Sequence, residues 1–289
     1  MGPRRNGKLY PHVFPKRVFL YNGGGKRMKQ IFSLALVTGA GGGIGRAIAK
    51  ELDRRGCSLI LVGRRFSTLE ETADLLSKRP LCIEADLSDP VQCERVFEQV
   101  KTMPVDLLVN NAGFGLCGDF TETDEAREFS MLDLNVRAVQ FFTKRFVRLF
   151  AGKDCGTVLN VASSAAFLPG TGMAVYYATK AYILRLSEGI SGELKRNKSR
   201  VSVSVLCPGP VNTDFSDTAR VRFSSRGISA EKAAEAAVKG AARGRLVIVP
   251  GVSMKCIRFF ERFFPERALV WFTGKFQKRN EKANRRNPS

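Results

Sequence analysis

Histidine is almost missing: His12 is the only one in 289 residues, and it stands in a basic N-terminal stretch. Seven cysteines are scattered with no C-x-x-C pair. Together these leave no ligand set for zinc, so no metal site is expected. An odd number of thiols in a chain of this length fits a reducing compartment, and the cytoplasm is the expected location. No apolar run reaches the roughly eighteen residues of a spanning helix. No zinc finger or RNA-binding-sheet signature occurs, so specific nucleic-acid recognition is not expected. No repeat at solenoid period occurs either. Acid is absent from residues 1–27, which carry seven Lys and Arg, and serine is absent before Ser33.

What is present includes a proton-transfer pair. The segment Tyr176-Tyr177-Ala178-Thr179-Lys180 puts a phenol and an ammonium four residues apart, on one face of a helix. A nearby cation favours the phenolate, so Lys180 is expected to pull the Tyr176 pKa down from about 10 toward working pH, as a general acid for a carbonyl oxygen requires. Tyr177 competes for the role, but its spacing to Lys180 is three rather than four.

Upstream lies a nucleotide-site pattern. Ile31 to Val37 is a strand-length apolar run, followed by Thr38-Gly39-Ala40-Gly41-Gly42-Gly43-Ile44-Gly45 and then helical periodicity from Arg46 to Arg55. Strand, glycine turn and helix form the context of a dinucleotide fingerprint, in which backbone approaches pyrophosphate at a helix N-terminus. The G-x-G-x-x-G spacing fails at Ile44; Gly39-x-x-x-Gly43-x-Gly45 fits instead.

With these motifs in order, the chain resembles the short-chain dehydrogenase/reductase family from about Gln30 to Pro250. The resemblance rests on the Thr38–Gly45 turn, Asp86, Asn110-Asn111-Ala112-Gly113, Asn135, Ser163, Tyr176 with Lys180, and Pro208-Gly209. It implies that Tyr176 gives or takes the proton. It implies that Lys180 lowers the Tyr176 pKa and holds the nicotinamide ribose, that Ser163 orients the substrate oxygen, and that Asn135 holds a water relaying protons to Lys180. Ser164 competes for the place of Ser163. The resemblance further implies that Asp86 and Leu87 meet the adenine edge and that Asn111, Ala112 and Gly113 bring backbone to the adenine ribose. Pro208 and Gly209 are then expected near the nicotinamide, with Thr213 at its carboxamide.

The second strand, Ser58 to Val62, ends in Gly63-Arg64-Arg65 with no carboxylate. An acid there would grip a ribose 2′-hydroxyl, whereas Arg64 and Arg65 suit a 2′-phosphate, so the expected cofactor is NADP(H). A solvated Arg pair is the alternative.

The 44% hydrophobic content suffices for a full core. The expected fold is α/β: a single doubly wound Rossmann-type domain with a mostly seven-stranded parallel sheet, helices on both faces and amphipathic C-terminal helices. Strands are predicted near 33–37, 58–62, 80–84, 105–110, 156–161, 202–207 and 245–249. Helices are predicted near 44–55, 67–78, 89–102, 124–151, 174–196 and 229–242. Residues 28–250 form the expected catalytic domain.

The net charge of +20 sits mostly at the ends, since residues 243–289 carry twelve Lys and Arg against three acids. Residues 1–27 read as a basic tail, disordered or not native, with Met28 as the natural start; an organellar presequence would need serine. Residues 251–289 read as a basic aromatic extension. Ile257, Phe260, Phe263 and Phe264, then Leu269, Phe272 and Phe276 past Pro265, repeat at helical spacing. Three readings stand: packing on the domain or at a homo-oligomer interface, a lid over an apolar substrate, or peripheral contact with an anionic membrane. The expected activity is hydride transfer between nicotinamide and a carbonyl or secondary alcohol of an apolar small molecule. The alternative is a nucleotide-sensing or membrane-associated scaffold of the same fold.

Overall fold

The computed structural model describes residues 20–21, 27–28, 31–212 and 227–275. Seven parallel strands form its sheet: β1 (Leu34–Thr38), β2 (Ser58–Gly63), β3 (Leu81–Glu84), β4 (Leu107–Asn110), β5 (Thr157–Val161), β6 (Ser202–Leu206) and β7 (Val247–Ile248). Their spatial order is β7-β6-β5-β4-β1-β2-β3. The order reverses beside β1, so a crevice opens at the C-terminal ends of β1 and β4, where ligands bind in such sheets. Leu20–Tyr21 pairs with Arg27–Met28 as a small antiparallel ribbon.

The strands are largely apolar because both faces are covered. Ala35, Val37, Leu59, Leu61, Leu107 and Val109 point to one face, under α1 (Gly43–Arg54), α2 (Phe66–Ala73) and α7 (Ala230–Ala242). Leu36, Ile60, Val62, Leu108 and Val158 point to the other. There they meet α3 (Pro90–Val100), α5 (Val139–Lys153) and α6 (Ala174–Arg196). Phe142, Phe146 and Phe150, spaced four apart on α5, are fully buried, each contributing about 1.5–3 kcal/mol by apolar burial.

Two expected helices differ. The stretch predicted as one helix over 124–151 is α4 (Glu125–Leu132), a π-helical turn (Asp133–Ala138) and then α5. The one predicted to reach 78 ends at Ala73, and Asp53 of α1 accepts from both the N–H and the hydroxyl of Ser77 at 2.9 Å. At the C-terminal side, α8 (Val252–Phe260) leads through a 3₁₀ turn (Glu261–Phe263) to a helix over 266–275. No helix among the described residues is long and apolar enough to cross a membrane.

Candidate active site

The turns after β1 and β4 are locked to each other. The Thr38 hydroxyl donates to the Val109 carbonyl at 3.2 Å and accepts from the N–H groups of Asn111 and Ala112 at 2.9 and 3.1 Å. Asn111 Nδ2 donates to the carbonyls of Thr38 and Gly39 at 3.0 and 3.1 Å. Gly39 has φ +64, and a Cβ there would lie 2.8 Å from Ala112 Cα. A Cβ at Gly45 would overlap the Gly39 carbonyl oxygen and lie 2.5 Å from Asn111 Nδ2. Gly41 lies against Thr68 of α2, while Gly42 faces open space. Gly43 and Ile44 begin α1, whose N-terminus has neither a side-chain cap nor an acid in its first turn. That end of a twelve-residue helix therefore has N–H groups and partial positive charge to offer an anion.

Sequence reasoning missed Arg46. Its Nη2 donates to the Gly41 carbonyl at 2.6 Å, its Nε donates to Thr72 Oγ1 at 3.0 Å, and it pairs with Glu71 at 2.8 Å. Thr72 also donates to the Ala40 carbonyl at 2.9 Å. The glycine turn is thereby clamped between α1 and α2. No spacing rule marks an arginine for that task.

Arg64 and Arg65 follow β2 and are both exposed, with no ion pair to either guanidinium among the described residues. Glu84, at the end of β3, accepts from the Phe66 N–H at 3.1 Å, which engages a neighbouring carboxylate at the N-terminus of α2. Asp86 turns back on itself: Oδ1 accepts from the Ser88 N–H and hydroxyl at 3.0 and 2.7 Å. Leu87 is buried. Thr213 lies outside the described residues.

The four catalytic candidates come from three places in the fold, the turn after β5, the π turn and α6. Ser163 follows β5 and caps the 3₁₀ turn Ser164–Phe167, its Oγ accepting from the Ala165 N–H at 3.1 Å. Tyr176 and Lys180 stand near the start of α6. Asn135 comes from the π turn, a geometry frequent at functional sites. Its Oδ1 accepts from the Phe114 N–H at 3.1 Å, and its Nδ2 donates to the Phe114 carbonyl at 2.8 Å and to Thr179 Oγ1 at 3.2 Å. A Cβ on Gly113 would lie 2.8 Å from Asn135 Oδ1 and 3.5 Å from Lys180 Nζ, so glycine there lets both approach one point. Lys180 Nζ donates to the Val161 carbonyl at 3.2 Å and lies 5.7 Å from the centre of the Tyr176 ring. Ser164, the competitor, instead donates its N–H to the Pro208 carbonyl at 2.7 Å, which brings the Pro208-Gly209 segment to the Ser163 turn.

The electrostatics correct one expectation. Tyr176 does not have a depressed pKa here. Burial raises it well above the ordinary phenol value, a hydrogen bond with Ser163 opposes the rise, and the Tyr177 phenol adds to it. Burial also pulls Lys180 down to about 8. Both groups are nearly inaccessible, 7% and 6% exposed. The loss of water dominates at both residues, and each is pushed toward its neutral form.

A buried polar network underlies the site. Asn110 Nδ2 donates to Thr143 Oγ1 at 3.0 Å and to Asn160 Oδ1 at 2.9 Å, and Asn160 Nδ2 donates to Ser187 Oγ at 2.9 Å. It ties β4 and β5 to α5 and α6. The signal for it was an asparagine in each of two otherwise apolar strand runs, since buried amides need partners.

The chain is similar to known proteins in sequence and in fold. The family model described as short chain dehydrogenase matches residues 33–222. An uncharacterized oxidoreductase of Staphylococcus epidermidis is 32% identical over 186 residues, which span 64% of this chain and 80% of that protein. A short-chain dehydrogenase from Sphingobium yanoikuyae, solved in complex with NADPH, superposes with a TM-score of 0.73 at 27% identity, covering 82% of this chain and 95% of that one. A short chain dehydrogenase/reductase from Burkholderia phymatum, solved with NAD, gives a TM-score of 0.72 at 25% identity, covering 80% and 92%. The chain belongs to the short chain dehydrogenase family of oxidoreductases.

Proposed function

We propose that this family member is an NADP(H)-dependent carbonyl reductase, or the reverse alcohol dehydrogenase, acting on an apolar substrate. The convergence of Tyr176, Lys180, Ser163 and Asn135 beside the glycine turn carries the reading. The turn suits a dinucleotide: glycine at 39, 41 and 45 keeps side chains out, and the α1 N-terminus has no cap of its own. Arg64 and Arg65, exposed at the end of β2, favour a 2′-phosphate over a bare ribose hydroxyl. Asn111, Ala112 and Gly113 line the neighbouring strand end, with Asp86 and Leu87 on the adenine side.

When bound, the reduced nicotinamide supplies a hydride to the carbonyl carbon. Tyr176 donates its proton to the carbonyl oxygen as negative charge develops there, and recovers it from solvent afterwards. A raised pKa keeps that proton on Tyr176 until the oxygen calls for it. Ser163 holds the oxygen, and Lys180 and Asn135 fix the surroundings of the phenol.

Met254 of α8 packs where a Cβ on Gly209 would sit, and Arg258 lies 5.3 Å over the Phe167 ring, so α8 borders the Ser163 and Gly209 turns. An apolar cover beside the reacting end favours an apolar substrate. We place the enzyme in the cytoplasm, in keeping with seven free thiols, with residues 251–289 in peripheral contact with an anionic membrane. The test is an NADPH-oxidation screen over ketones, aldehydes, quinones, ketoacyl thioesters and sterols. Tyr176→Phe should lose about 10²–10⁴-fold in rate on any active substrate; unchanged turnover in that variant would overturn the reading.

A further inference from the structure

A groove of about 660 Å³ runs between α7, β7 and α8, and no residue of the catalytic four lines it. Six cations stand around it: Lys232, Lys239, Arg243, Arg245, Lys255 and Arg258. The acid in its lining is Glu235. None of the six is in an ion pair among the described residues. Six cations gathered around one carboxylate leave a net positive groove, and an anion bound there relieves their mutual repulsion.

The groove continues into an apolar surface. Phe259 lines it and also packs against Phe260 and Phe263, each at 5.4 Å between ring centres. Beyond them Phe264 meets Phe272 at 6.2 Å, and Trp271 meets Phe272 at 5.0 Å. All these rings are exposed, Trp271 by 58%, and Lys275 lies 4.9 Å from the Trp271 ring centre. Exposed aromatic rings bordered by cations match the boundary between headgroups and acyl chains.

We infer that this groove is the phosphate-headgroup site of an anionic phospholipid surface, with the aromatic face of 259–272 inserted beside it. The inference rests on the peripheral-contact reading and adds to it: α7 and β7, outside the C-terminal extension, supply the cations that hold the lipid phosphate. Docking in this way puts α8, and with it the turns at Ser163 and Gly209, next to the bilayer from which an apolar substrate partitions.

Trp271 is the chain's sole tryptophan, so its emission reports on the face without a label. The experiment titrates full-length protein with vesicles of phosphatidylcholine alone or mixed with phosphatidylglycerol. It follows Trp271 emission together with co-sedimentation. A blue shift and binding are expected with phosphatidylglycerol only, both weakening with salt. The triple charge reversal Lys239→Glu, Arg243→Glu, Arg245→Glu should bind at least about a hundredfold more weakly, since each cation near such a surface counts for about fivefold. Circular dichroism should show that variant folded, and Tyr176→Phe should bind like the parent. If the parent binds and the triple variant binds equally well, the groove inference fails while peripheral contact stands. If the parent ignores phosphatidylglycerol, or binds phosphatidylcholine alone just as well, both fail and the catalytic reading is untouched.

Discussion

Removing the charge on Lys180 should change how stability responds to pH, and the size of the change follows from its burial. In the folded protein the ammonium gives up its proton near pH 8, against 10.5 ordinarily. Between those values the unfolded chain holds more protons on this residue than the folded chain does. Unfolding free energy attributable to Lys180 therefore rises with pH across that window. The gap corresponds to about 3 kcal/mol, with little discount for screening because the side chain is almost fully buried. The perturbation is Lys180→Met, which keeps length and removes charge. Urea unfolding of parent and variant, at pH 7 and again near 10.5, gives the difference in which other titrations cancel. The variant's advantage at pH 7 should shrink by about 3 kcal/mol at the higher pH. A difference that holds within about 1 kcal/mol would refute the claim that a desolvated ammonium sits at this site. Tyr176 works in the opposite sense: its raised pKa stabilises the fold below the ordinary phenol value, and that contribution fades only above it.

Arg64→Asp should lower NADPH affinity by about ten- to a hundredfold, the loss of a charge-assisted contact plus a new repulsion. NADH affinity should hold or improve; equal losses by fluorescence titration would discard the 2′-phosphate assignment. Gly45→Ala should cost about 1–3 kcal/mol, because the added methyl meets a backbone carbonyl that cannot swing aside. A melting temperature within a degree of the parent would show that the glycine turn is looser than its geometry implies.

The sheet was readable in the sequence because each strand is a short, mostly apolar run between helical stretches, as parallel strands covered on both faces tend to be. The pairing of Tyr176 with Lys180 was readable because helical geometry fixes what lies four residues on. The π turn at Asp133–Ala138 was not. Its residues keep helical periodicity, and the bulge coincides with the pull of the Phe114 backbone and Thr179 on Asn135. Those partners are 21 and 44 residues away and no local pattern announces them. Arg46 was missed for the same reason: what makes it a clamp is the carbonyl of Gly41 and the hydroxyl of Thr72, brought together by the packing of α1 on α2.

The expected pKa of Tyr176 differs from the observed direction because spacing carries no information about burial. In water an ammonium one turn away lowers a phenol's pKa, and spacing alone predicts that. Within the fold, water is lost from both groups, and neutral phenol beside a weakly held ammonium becomes the favoured state. A proton bound that firmly moves only when a stronger demand appears beside it, and a carbonyl oxygen gaining negative charge is such a demand. Under the proposed reading, the dryness that raises Tyr176 would also disfavour a polar substrate. The same burial thus argues at once for a proton donor that waits and for a ligand with little water to lose.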